Sequence, residues 1–204
     1  MRKQLKNILS SYPKRRLKDD SRVPAAVLVP VFKKGGEYHI VLTRRTNLVS
    51  THKGQISFPG GSYEHEDRSL AETALRETEE EIGLSRQDIT LLGELDDVPS
   101  RTSNFLISPY VGCFSWPYEF RLSEEETQAV VEVPIRELLE QDSQAQSFKI
   151  ADGTEVSPAY NYQGHVIWGA TVRILNNFLE LWQKANDEAR STYNGTLAQQ
   201  DVSL

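Results

Sequence analysis

The 204 residues are 38% hydrophobic and 25% charged, a balance suited to one globular domain with a full core. The formal net charge of −6 excludes general binding to nucleic-acid phosphates, although an acidic protein takes an anionic substrate where metal ions reverse the local field. No apolar run reaches the ~18 residues that span a bilayer, and the single cysteine, Cys113, excludes an internal disulfide and fits a cytoplasmic location.

Residues 1–22 are basic and lack the apolar core of a signal peptide. Leu5, Ile8 and Leu9 have helical spacing, so a short packed helix is expected ahead of a domain spanning 23–190. Pro24 to Lys33 is a valine-rich run short enough for a buried strand. Gly35-Gly36 then turns the chain, and Tyr38 to Arg45 reads as the hairpin partner. Thr46 to Gly54 is polar and basic, a loop. Gln55 to Phe58 is a short strand leading into a turn at Pro59-Gly60-Gly61. Ile89 to Leu95 and Ile107 to Phe114 read as two further strands, Leu122 to Glu126 as an acidic turn and Val130 to Val133 as another strand. Pro134 opens a helix through Leu139. Tyr160 to Trp168 is expected as one last strand. From Ala170 to Ala185 an amphipathic helix puts Val172, Leu175, Phe178, Leu179 and Trp182 on one face. Residues 191–204 form a polar tail, expected to fray from Asn194. Strands interleaved with helices imply an α/β domain with a mixed sheet between helical layers.

The stretch from Phe58 to Leu84 carries the chemistry. Ser69 with Glu72 forms a capping box, and Gly83 suits a left-handed C-terminal position. Between them Glu77, Glu80 and Glu81 fall within roughly 100° on the helical wheel. Leu70, Ala74, Thr78 and Ile82 form the adjacent apolar stripe, while Glu72 and Glu79 point elsewhere. Three carboxylates on one side repel each other unless a cation sits among them, and clustered oxygen ligands suit Mg²⁺ or Mn²⁺. A solvated acidic helix is the alternative, and the neighbouring diglycine turn and Arg76-Glu77 weigh against it.

Gly61, Arg76-Glu77, Glu80-Glu81 and Gly83-Leu84 resemble the Nudix box, Gly-x5-Glu-x7-Arg-Glu-U-x-Glu-Glu-x-Gly-U with U aliphatic. Thr78 stands at an aliphatic position, Asp67 replaces the first Glu, and Gly61 lies fifteen residues before Arg76, one more than the pattern. Leu42-Thr43-x-Arg45, Gly54-x-x-x-Phe58-Pro59-Gly60-Gly61, Tyr110-Val111-Gly112, Glu126 ahead of Val133-Pro134, and Ile167-Trp168-Gly169-Ala170-Thr171 are similar to the coenzyme A pyrophosphatase branch. That likeness spans roughly residues 24–180. Thr46 and Ser50 depart from the branch pattern, and His52 or Lys53 stands near enough to supply the basic charge that Ser50 lacks.

The resemblance implies a Nudix-type α/β/α sandwich with a mixed β-sheet and metal-dependent hydrolysis of a diphosphate bond. The substrate implied is coenzyme A or acyl-coenzyme A, giving 4′-phosphopantetheine, or its acyl form, and adenosine 3′,5′-bisphosphate. Glu77, Glu80 and Glu81 would hold Mg²⁺ or Mn²⁺, Glu80 or Glu126 would take the proton, and Arg76 would fix a box glutamate. Gly60 and Gly61 would allow close backbone approach. Arg44, Arg45, Lys53 and Arg101 are the cationic candidates for the substrate's phosphates. Trp168 either stacks on an adenine or packs beside the final helix, and His39, His65 and His165 lack metal-ligand spacing. Another nucleoside diphosphate derivative (a sugar nucleotide, a dinucleotide or a triphosphate) is the alternative substrate, and a catalytically silent binding module is the alternative class. No nucleic-acid or membrane partner is expected, and a homodimer is the base-rate expectation.

Overall fold

Alternation along one long strand, β1 (Val23–Lys34), sets the layers of this molecule. The structure, a computed structural model, describes residues 1–46, 54–141, 143–150 and 153–200, with side chains through residue 191. Successive side chains of a strand point to opposite faces. In β1, Ala26 and Leu28 pack with Ala74 and Tyr110 on one face, and Phe32 packs there with Ile82 and Leu84. Val29 and Val31 enter the larger core on the other face, with Leu5, Leu9, Leu175 and Phe178. Helix α2 (Leu70–Ile82) therefore covers one side, and α1 (Arg2–Ser11) and α4 (Gly169–Gln200) cover the other. This is the expected sandwich.

One edge of β1 pairs in parallel with β7 (Phe105–Cys113), from Val23↔Phe105 to Val31↔Cys113. Its other edge is shared. The C-terminal part pairs antiparallel with β2 (Glu37–Arg45) around the Gly35-Gly36 turn, while Ala25 to Val27 pair with β4 (Gly60–Ser62). Strand β2 diverges to pair with β3 (Ile56–Ser57) and β8 (Thr127–Pro134). Adding β5 (Thr90–Glu94) and β6 (Val98–Pro99) completes an eight-stranded mixed sheet. The sheet forks between β1 and β2, and that fork positions the site.

Four features differ from the sequence expectation. Gly60-Gly61, expected as a turn, is extended and paired to β1. The stretch 160–168 is a hairpin: Gln163 and Gly164 both take positive φ, separating β10 (Gly153–Tyr162) from β11 (His165–Ile167). Strand β9 (Gln144–Ile150), too polar to be read as a strand, joins them in a three-stranded sheet after the short helix α3 (Ile135–Leu139). Helix α4 runs on to Gln200, past Asn194 where fraying was expected. Most of the expected 46–54 loop lies outside the described residues.

The basic N-terminal segment is docked onto the domain. Leu5 and Leu9 are buried, and the Tyr12 hydroxyl donates to Asp96 Oδ1 at 2.9 Å. The backbone N–H of Leu17 donates to Asp97 Oδ2 at 2.9 Å. Among the described residues no helix is long and apolar enough to cross a membrane.

Candidate active site

Helix α2 begins and ends where its sequence dictates. Ser69 Oγ accepts the Glu72 N–H at 3.3 Å, and Gly83, at φ 68°, donates its N–H to the Glu79 carbonyl at 2.9 Å. Thr78, at the aliphatic position of the box, is fully buried because its hydroxyl donates to the Ala74 carbonyl at 2.6 Å. With that hydroxyl satisfied, the residue serves the apolar face.

Arg76 is the hub of the helix's polar face. Its Nε and Nη2 donate to the two oxygens of Asp67 at 3.0 and 3.1 Å, and Nη2 also donates to the Ser62 carbonyl at 3.1 Å. Its Nη1 reaches Glu80 Oε2 at 2.9 Å and Glu77 Oε1 at 3.0 Å. Asp67 further accepts from Thr73 Oγ1 at 2.8 Å and from the Glu64 N–H at 3.0 Å. These donors, led by the Arg76 guanidinium, hold the buried Asp67 carboxyl down at about 2. The loop carboxylate that departs from the box pattern thus clamps the arginine, and the arginine clamps Glu77.

Gly61 explains the close approach on the other side of Glu77. A Cβ at Gly61 would stand 2.5 Å from the Glu77 carboxyl carbon and from both its oxygens. Gly60, at φ 150°, is constrained by backbone: its Cβ would lie 2.6 Å from Val27 Cα and closer still to the Ala26 carbonyl oxygen. The diglycine lets β4 lie against β1 and lets Glu77 lie against β4.

Glu81 is 3% exposed, with the Arg45 Nη1 3.7 Å from its Oε1. Its Oε2 and the Arg45 Nε have no hydrogen-bond partner among the described residues. Burial pushes its carboxyl up to about 8; Arg45 opposes this, and Glu126 and Glu77 add to it. Burial likewise raises Glu77, against the pull of Arg76 and with a push from Glu80 and Glu126. Glu126 reaches these two through backbone ties. The Ser123 N–H donates to the Glu81 carbonyl at 3.0 Å, the Glu126 N–H to the Ser123 carbonyl at 3.1 Å, and the Thr46 N–H to the Glu126 carbonyl at 2.9 Å.

Glu77, Glu81, Glu126 and Arg45 border one cavity of about 430 Å³ in the fork of the sheet, together with Gly60, Gly61 and Glu64. Phe58, Phe105, Trp168 and Ile174 give it an apolar wall, and Ser100, Thr102 and Ser103 a hydroxyl-bearing one. Several candidates lie elsewhere. Glu80 does not line the cavity; its side chain is 59% exposed and bonded to Arg76. Arg76 bonds to Glu77 without lining the cavity, and Arg44 is half-buried and does not line it either. Arg101 is exposed, with Nη1 3.6 Å from the buried Glu155. Ser50, His52 and Lys53 fall outside the described residues.

Five of the residues here, Glu64, Ser100, Thr102, Ser103 and Asp67, escaped or were undervalued by sequence reasoning. Glu64 and the Ser100–Ser103 wall carry no motif. Asp67 did carry a signal, since it stands six residues after Gly61, where the box places its first carboxylate.

The donor set suits a hard divalent cation. Glu81 Oε2 is a buried acceptor with no donor among the described residues, and the charge of Glu126 raises the proton affinity of both Glu77 and Glu81. Among the described residues no three His, Cys, Asp or Glu side chains are already gathered tightly enough to enclose an ion.

Comparison with known proteins agrees with this geometry. The family model described as the NUDIX domain matches residues 22–152. The chain is 34% identical over 169 residues to the uncharacterized Nudix hydrolase NudL of Photorhabdus laumondii, covering 82% of this chain and 89% of that one. It is 35% identical over 158 residues to the same-named protein of Yersinia enterocolitica, covering 76% and 80%. In fold it is similar to a MutT/nudix family protein from Enterococcus faecalis, with TM-score 0.55, 14% identity, and coverage of 85% of this chain and 66% of that one. It is similar also to a C. elegans Ap4A hydrolase, with TM-score 0.50, 20% identity, and coverage of 78% and 98%. The chain belongs to the Nudix hydrolases, pyrophosphohydrolases that generally use divalent metal ions and act on nucleoside diphosphate derivatives.

Proposed function

We propose that this Nudix hydrolase cleaves the diphosphate of coenzyme A or acyl-coenzyme A, with Glu77 and Glu81 holding Mg²⁺ or Mn²⁺ and Glu126 acting as the general base. The observation that carries the site is the buried Glu81, which lines the same cavity as Glu77, Glu126 and Arg45 and has one oxygen with no hydrogen-bond partner among the described residues. When bound, such a cation neutralises the diphosphate oxygens and acidifies water. Arg45 binds a phosphate oxygen from the cavity wall, and Asp67 and Arg76 keep Glu77 in one rotamer. Glu126 takes a proton from the attacking water. Water adds across one P–O bond, and two phosphate monoesters leave.

Support for the coenzyme A reading comes from where the branch-like residues fall. Arg45, Phe58, Gly60 and Gly61 line the cavity from one side, and Trp168, Gly169, Ala170 and Thr171 line it from the other. Segments far apart in sequence therefore serve one site. The Thr171 hydroxyl even donates to the Ile56 carbonyl at 3.3 Å, tying the two together.

A panel of coenzyme A, acyl-coenzyme A, NADH, ADP-ribose and a sugar nucleotide, each with Mg²⁺ or Mn²⁺, tests the substrate. Coenzyme A or its thioester is expected to give the highest kcat/KM. Fast turnover of a sugar nucleotide with none of coenzyme A refutes the reading.

A further inference from the structure

The matched family segment ends at residue 152, and it contains Glu77, Glu81, Glu126 and Arg45. The cavity does not end there. Trp168, Gly169, Thr171 and Ile174 also border it, and they come from beyond that segment. Groups shared across a family suit the shared diphosphate chemistry; groups outside the shared segment suit what flanks the diphosphate, which differs between substrates.

Trp168 is held as a rigid plate at that border. Strand β11 ends at Ile167, paired to Tyr160, and Gly169 at φ 67° turns the chain into α4 with its N–H donating to Ser157 Oγ at 3.3 Å. One face of the indole is covered by Phe148 of β9, with ring centroids 4.2 Å apart and planes 6° from parallel. Phe148 itself does not border the cavity. Phe148 thus backs one face of the indole from outside the cavity lining, while Trp168 itself borders the cavity. A π-surface fixed in this way accepts a flat ring at little further cost in conformational entropy.

We propose that Trp168, positioned by Phe148, is the stacking surface for the substrate's nucleobase and so a specificity-determining residue of this hydrolase. The inference rests on the cavity being the substrate site, not on coenzyme A being the substrate. Stacking of a base on an aromatic side chain is sequence-tolerant, and its loss lowers affinity by on the order of 10-fold or more.

Calorimetric titration of the full chain with adenosine 5′-monophosphate, ribose 5-phosphate and 4′-phosphopantetheine tests this without any turnover. Adenosine 5′-monophosphate is expected to bind at least ~10-fold more tightly than ribose 5-phosphate and to quench tryptophan fluorescence. Trp168→Leu should abolish that preference, Trp168→Phe should keep most of it, and Phe148→Leu should weaken it several-fold. In steady state Trp168→Leu should raise KM on the order of 10-fold and leave kcat within about threefold. Equal binding of the two ribose compounds by the wild-type chain overturns the proposal. So does a base preference that survives in Trp168→Leu, or 4′-phosphopantetheine taking the quenching role. If the chain hydrolyses no coenzyme A, the substrate reading fails, while the titrations still decide for or against the stack.

Discussion

Replacing Asp67 by Asn isolates the clamp behind the acidic helix. Asp67 is 5% exposed, and its two oxygens accept Arg76 Nε at 3.0 Å, Arg76 Nη2 at 3.1 Å, Thr73 Oγ1 at 2.8 Å and the Glu64 N–H at 3.0 Å. Asn keeps the shape, removes the charge and turns one acceptor into a donor facing donors. A carboxyl held at about 2 against a usual 3.8 stabilises the fold at neutral pH, by ~2.5 kcal/mol. Breaking a buried pair from one side costs roughly 3–5 kcal/mol. The two estimates bracket an expected loss of about 3 kcal/mol, or a fall in Tm of roughly 6–12 °C for a domain of this size. The sign with pH is fixed. This stabilisation is complete above the unfolded carboxyl's 3.8 and is lost as pH falls through about 2. Urea titrations of wild type and Asp67→Asn should therefore show a constant gap from pH 7 to pH 5, with roughly half of it left at pH 3. A gap below about 0.5 kcal/mol at pH 7, or one unchanged at pH 3, would refute the clamp.

The two glycines should separate folding from chemistry. Gly60→Ala meets backbone at an unfavourable φ and should cost ~3 kcal/mol or more in urea melts, whereas the three atoms nearest a Gly61 Cβ all belong to the Glu77 carboxyl, so Gly61→Ala should cost less in the melts than Gly60→Ala while cutting kcat at least ~10-fold. Glu77→Gln, Glu81→Gln and Glu126→Gln should each lower kcat by about two or more orders of magnitude, and Glu80→Gln, outside the cavity, by less than ~10-fold; equal losses in all four would return Glu80 to the site. In EDTA, the Glu81 carboxyl raised to about 8 means the folded state holds a proton that the unfolded state has lost above its usual 4.5. Wild-type stability relative to Glu81→Gln should then decline as pH rises from ~4.5 to ~8, and a thermal-melt difference that is flat across that window would contradict the burial of the charge.

Local signals made the frame of this molecule legible. The Ser69 cap, the Gly83 terminus, the valine run of β1 and the Gly35-Gly36 hairpin each depend on neighbours a few residues away, and each lies where the sequence puts it. Non-local choices were not legible. The helical wheel places Glu77, Glu80 and Glu81 on one arc, but the lean of α2 against β1 and β4 decides which part of that arc meets the cavity, and it leaves Glu80 in solvent. Local pattern leaves Glu126 in an acidic run that reads equally as a solvated turn; only the family resemblance singles it out, and the Ser123 N–H bonded to the Glu81 carbonyl ties that run to the helix. The hairpin at Gln163-Gly164 did carry a turn signal, outweighed by the apolar residues on either side. Strand β9 carried little, because its half-buried face has only Phe148 and Ile150 as apolar residues, at the end of an otherwise polar run.

The burial of Glu81 comes at a cost to the fold. A buried carboxylate with one oxygen lacking a partner among the described residues is unfavourable for the fold, and Arg45 at 3.7 Å compensates it only in part. The surrounding structure offsets that strain from three directions. Asp67 and Arg76 fix the polar side of α2, Thr78 and Ile82 fix its apolar side, and the segment leading to Glu126 fixes its C-terminus: Tyr118 Oη donates to the Gly83 carbonyl at 3.2 Å, and the Arg121 N–H donates to the Ile82 carbonyl at 2.9 Å. A helix held on three sides cannot turn Glu81 out to water to relieve it. The carboxylate is then left with two ways to lower its energy, a proton or a cation. The first is favoured below about 8, and the second brings the charge that the diphosphate needs. On the proposed reading, rigidity in α2 would convert an unfavourable burial into affinity for a metal ion, and the loop that departs from the family pattern supplies part of that rigidity through Asp67.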